Sequence, residues 1–199
     1  MKIVHWAPFA PNRCGLYEAA RDMMHADSMQ GHDVQFCDLG VVEATGRVQG
    51  TAEQNGGKAD TRGGWLLETA PWRDAHAADL WVCHDGVPAW VAERNQIPMI
   101  WMMHGRPLYT FRLEQTNKAV DAYSLVADLA SRPRVKAMVT FWQEHEAHWR
   151  VLCGDKLRST IDPPVDRARF PAKGPVIEIA PDKRGQFNLL ICDTWREDV

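Results

Sequence analysis

The chain has 199 residues, 45% of them hydrophobic, and a formal charge of -3. That length supports one substantial core or two small ones, and the mild acidity supplies no electrostatic drive toward nucleic acid. Cys14, Cys37, Cys83, Cys153 and Cys192 are scattered without a CxxC pair, which reads as buried reduced thiols; the lack of a charged-then-apolar leader or an apolar run of spanning length argues against secretion and insertion, for a cytoplasmic protein with at most peripheral membrane contact.

Met1 to Leu39 carries the clearest pattern. Lys2-Ile3-Val4-His5-Trp6 is a short, mostly apolar, β-prone run, as expected of a strand covered on both faces. Pro8 and Pro11 lack the amide hydrogen a central strand donates, so Ala7 to Cys14 is a loop. From Gly15 the period changes: Leu16, Ala19, Ala20, Met23 and Met24 share a helical face, with Glu18, Arg21, Asp22 and His25 largely elsewhere. Gly31 supplies a left-handed stop, and Asp33 to Leu39 is the next strand.

Val41 to Gly64 is rich in Gly, Thr, Gln and Asn and reads as a long mobile excursion. Leu80 to Cys83 is a strand ending at His84-Asp85-Gly86, followed by a short helix over Ala89 to Asn95. Ile97 to Met103 is a strand closed by His104-Gly105; Asn117 to Ala130 is helical in pattern and Val135 to Thr140 strand-like. Gln143 to Leu152 is a helix stopped near Gly154, and Leu157 to Ile161 is the last strand of the series. Alternating strands and helices need crossovers, which predicts an α/β fold with a Rossmann-like, doubly wound parallel sheet. Phe170 to Gln186 has linker composition, and Phe187 to Cys192 is a core-type strand with no crossover helix after it.

Several motifs are absent or malformed. No GxGxxG follows the first strand, which disfavours a dinucleotide-dependent dehydrogenase, and neither a phosphate loop nor a GxSxG elbow occurs. In Glu144-His145-Glu146-Ala147-His148 the histidines are three apart where a metalloprotease needs four, so no metal site is expected. Trp6, Trp81 and Trp101 read as core; Trp65 and Trp72, bordering the excursion, are the best candidates for a carbohydrate platform or a partner-domain contact.

MKIVHWAPFAPNRCGLYEAARDMMHADSMQGHDVQF resembles the amino-terminal segment of GT-B-fold retaining glycosyltransferases of the glycogen-synthase-like and mannosyltransferase-like group. ADLWVCHDG, IPMIWMMHG, VKAMVTFW and STIDPPVDRARF resemble that group's later strand ends, in order. The chain departs from the pattern at Thr140-Phe141-Trp142 and at Asp162-Pro163-Pro164-Val165-Asp166.

The resemblance implies one half of a GT-B fold: residues 1–170 as the acceptor-side domain, 171–186 as an interdomain linker, and 187–199 as the start of a donor-binding domain. It implies no cofactor beyond a nucleotide-sugar as donor substrate, a carbohydrate or lipid-linked acceptor, and a C-terminal donor-binding domain or separate chain as partner. It implies His104 as the catalytic-site histidine. Gly15 matches the glycine at the helix start, while Asn12, Arg13, Tyr17, His84, Asp85, Gly105 and Arg106 sit where acceptor or phosphate contacts arise. A non-catalytic Rossmann-like binding module and a sugar-nucleotide epimerase-like enzyme are the alternatives, and little glycosyl transfer is expected of this chain alone.

Overall fold

A computed structural model describes residues 1–11, 14–39, 56–84, 96–104, 127, 130–141 and 143–161. Strand β1 (Lys2–Ala7) leads to helix α1 (Gly15–Met29) and strand β2 (Asp33–Asp38). A small hairpin, β3 (Ala59–Asp60) and β4 (Leu67–Glu68), precedes β5 (Leu80–His84), β6 (Met99–Met103) and β7 (Val135–Phe141). Helix α2 (Gln143–Cys153) and strand β8 (Leu157–Ile161) complete the described elements.

Six strands form one sheet in the order β2-β1-β5-β6-β7-β8, and every adjacent pair is parallel. The expected parallel α/β sheet is therefore present. Glycine closes both helices as the sequence predicts: Gly31 has φ 84° and Gly154 φ 52°, values that side chains with a Cβ rarely adopt. Of the helix expected at 117–130, only Ala127 and Ala130 are described, and both are helical. The 89–95 helix, the 171–186 linker and the strand at 187–192 lie outside the described residues.

Strand alternation divides the core between the two faces of the sheet. On one face Val4, Trp6, Trp81, Cys83, Trp101 and Met138 pack with Trp72, Ala75, Trp149 and Cys153. Two indole N–H groups here donate to backbone, Trp72 Nε1 to the Asp38 carbonyl at 2.8 Å and Trp81 Nε1 to the Ala75 carbonyl at 2.9 Å, whereas the buried Trp6 Nε1 has no hydrogen-bond partner among the described residues. Trp72, a candidate for a carbohydrate platform or a partner-domain contact, is 3% exposed and packs in this core. On the other face Ile3, Val82, Met102 and Phe141 form one cluster, and Ala7 and Phe36 join Tyr17, Ala20 and Met24 of α1 in another.

The polar side of α1 departs from expectation. Arg21 and Asp22 are buried, not solvated. The β3–β4 hairpin, formed partly from residues expected to be a mobile excursion, covers Arg21. Its Asp60 carboxylate accepts from the Tyr17 hydroxyl at 2.8 Å and from Arg62 Nη2 at 2.6 Å, and faces Arg21 Nε at 3.1 Å. Arg21 Nη2 donates to the carbonyls of Arg62 and, at 3.2 Å, Trp65. Arg62 also pairs with Glu18 in the first turn of α1 at 2.9 Å. Two guanidinium groups around one carboxylate hold Asp60 well below its ordinary range, the Arg62 hydrogen bond being the largest cause.

Candidate functional site

The chain passes from β1 to β2 on one side of the sheet and returns through β5 on the other. That reversal lies between β1 and β5, and open parallel sheets bind ligands in the crevice at the carboxyl ends of such strands. The loop leaving β1 is tied down locally: Phe9 N–H donates to Asp38 Oδ1 at 2.8 Å, and Lys58 Nζ pairs with the other oxygen of that carboxylate.

Three histidines cross the reversal on the α1 face. In the parallel register His5 of β1 lies opposite Val82, and His84 comes two residues later on β5. His84 lies opposite Met102 of β6, and His104 again comes two residues later. Side chains alternate with period two, so each step keeps the imidazole on the same face and advances it toward the carboxyl edge. The result is a continuous diagonal. His5 Nδ1 lies 3.2 Å from His84 Nε2, and His84 Nδ1 lies 2.8 Å from His104 Nε2. At the other end His5 Nε2 lies 3.1 Å from Oδ2 of Asp27, on α1. The rings of His5 and His84 stack at 5.5 Å between centroids, and His104 packs on Phe141 at 4.2 Å.

Burial dictates the charge state. His5 and His84 have no solvent exposure. Desolvation lowers the His5 pKa against the opposing pull of Asp27, and it drives His84 well below the ordinary histidine value, helped by the two neighbouring imidazoles. Desolvation pushes His104 down to about 3. At neutral pH all three rings are therefore neutral, each with one N–H and one lone pair. A group with so low a pKa is a poor general base, but it is a well-defined hydrogen-bonding group.

The structure thus brings together His84 and His104, two of the residues singled out in the sequence. His5 and Asp27 are additions that sequence reasoning missed. A histidine inside the apolar run Lys2 to Trp6 is the available signal for His5, whereas nothing local marks Asp27. Tyr17 is fully buried, with its ring against Phe9 and Phe36 and its hydroxyl on Asp60. Gly15 opens α1, and among the described residues nothing lies within 4 Å of where its Cβ would be, so neither crowding nor a positive φ requires glycine there. Trp65 has His25 stacked on its ring at 5.2 Å and the Arg21 guanidinium 5.4 Å from its centroid. Asn12, Arg13, Asp85, Gly105 and Arg106 lie outside the described residues.

On α2, the Glu146 carboxylate bridges Arg150 at 2.6 Å and Thr160 at 2.7 Å. Among the described residues no cluster of His, Cys, Asp and Glu has the arrangement of a metal site, and no helix is long and apolar enough to cross a membrane. Compared with the models of known protein families, with curated proteins and with solved structures, the chain matches none.

Proposed function

We propose that this chain is the acceptor-side domain of a retaining, GT-B-type glycosyltransferase, which moves a sugar from a nucleotide-sugar to a carbohydrate or lipid-linked acceptor. The observation that carries the reading is His104, held neutral at the carboxyl edge of β6 beside the strand reversal. In the resemblance this is the histidine that touches the transferred sugar. A neutral imidazole suits that role, because it exchanges hydrogen bonds with a sugar hydroxyl without bringing a charge into the cleft. His84, behind it at 2.8 Å, holds the ring.

On this reading the diphosphate of the donor is bound mainly by a second domain or chain, and His104 contributes to orienting the sugar. The test is titration of the chain, followed through its imidazole resonances, with mono- and disaccharides and separately with UDP- and GDP-sugars. Saccharide-dependent shifts centred on His104 and weak nucleotide-sugar binding are expected. Tight nucleotide-sugar binding or robust transfer by this chain alone would refute the assignment of the donor site to another domain, and saccharides leaving His104 unmoved would refute the acceptor-side reading.

A further inference from the structure

We propose that the Asp27 carboxylate fixes the tautomer of His104 from three hydrogen bonds away, so that Asp27, His5 and His84 are positioning residues for the imidazole of His104.

An ionised carboxylate can only accept hydrogen bonds. Asp27 Oδ2 lies 3.1 Å from His5 Nε2, so that nitrogen carries the His5 proton. A neutral imidazole has one N–H, which leaves His5 Nδ1 as a lone pair. It lies 3.2 Å from His84 Nε2, which must therefore donate. His84 Nδ1 is then an acceptor in turn, 2.8 Å from His104 Nε2, and the proton of His104 is placed on Nε2. His104 Nδ1 is left as the acceptor nitrogen. The opposite direction would set the lone pair of the buried His5 Nε2 against the lone pairs of Asp27, two acceptors at hydrogen-bond distance.

The consequence is selectivity for polarity. With Nδ1 as acceptor, His104 favours a ligand group that donates, such as a hydroxyl, over a carbonyl or ether oxygen. Asp27 and His5 set that preference indirectly through His84.

The experiment is two-dimensional nitrogen-15 NMR of the full chain labelled at histidine, near neutral pH, with the His104 and His84 signals assigned by loss in His104→Gln and His84→Gln. Each tautomer gives a distinct pattern of ring-nitrogen shifts and couplings. In the unsubstituted protein, His84 and His104 are expected to be protonated on Nε2. Asp27→Asn is nearly isosteric, and its carboxamide can donate to His5 Nε2. The variant is expected to move His84 and His104 to the Nδ1-protonated form or to a mixture, whereas Asp33→Asn at an exposed position of β2 leaves both unchanged. Protonation of His104 on Nδ1 in the unsubstituted protein overturns the proposal, and so does an Asp27→Asn variant with the His104 tautomer intact. Should Asp27→Asn not fold, the unsubstituted spectrum alone decides.

Discussion

Mild acid tests the neutral histidine diagonal directly. His104 has its pKa pushed down to about 3, and His84 lies well below 6.5, both chiefly through burial. In the unfolded chain each is an ordinary histidine with a pKa near 6.5. The unfolded state therefore binds more protons than the folded one as pH falls below that value. The stability these groups contribute is complete above about pH 6.5 and is lost as pH falls toward their folded values. About one pH unit lower, His104 alone costs on the order of 1 kcal/mol, and His84 adds to the loss in the same direction. His5 acts in the same direction, opposed by its bond to Asp27. Against a total of about 5–15 kcal/mol for a domain, that loss is large. Urea unfolding followed by tryptophan fluorescence at a series of pH values is the assay, and His104→Gln is expected to reduce the pH slope by about one proton. Asp60 does not confuse the result. Its contribution is lost only as pH falls below the ordinary 3.8 toward its depressed value, a separate window. A stability that stays flat between about pH 7.5 and about pH 5.5 would refute the claim that these imidazoles are held neutral in the folded protein.

Other expectations concern the packing around the site. Asp60→Asn leaves Arg21, 1% exposed, without its carboxylate and is expected to destabilise by about 3–5 kcal/mol in urea unfolding, whereas Tyr17→Phe, which removes one neutral donor, costs about 1–2 kcal/mol. Trp72→Phe removes the indole donor to the Asp38 carbonyl and opens a void, for an expected loss of about 2–4 kcal/mol by the same measurement. Burial raises Cys37 and Cys153 to about 12 and Cys83 well above its ordinary value. These three thiols are expected to resist alkylation in the native protein while the half-buried Cys14 reacts before them, as mass mapping of modified peptides would show.

The sheet was legible because its signals are local. The apolar runs at Ile3 to Trp6 and Leu80 to Cys83, the change of period at Gly15, and the glycines that end the helices each act within a few residues. The histidine diagonal was not legible in the same way. His84 and His104 stand out as strand ends, but their link to His5 depends on how three distant segments slide against one another, and no short window encodes that register. Asp27 lies on a helix whose rotation decides whether it reaches His5. Arg21 misleads for a related reason: helical periodicity sets it off the apolar face, and the hairpin bearing Asp60, well downstream in the chain, covers it.

The diagonal also makes the site sensitive to parity. Each imidazole reaches the next because an even number of residues separates it from its neighbour's cross-strand partner. A single-residue insertion or deletion within β5, ahead of His84, would turn that ring to the tryptophan face while the sheet still closed. A two-residue change would restore the face but displace the ring along the strand by about 6–7 Å, well beyond hydrogen-bond reach. The strands flanking this reversal are therefore constrained in length as tightly as in composition, and drift in the chain is expected to collect in the connections between them.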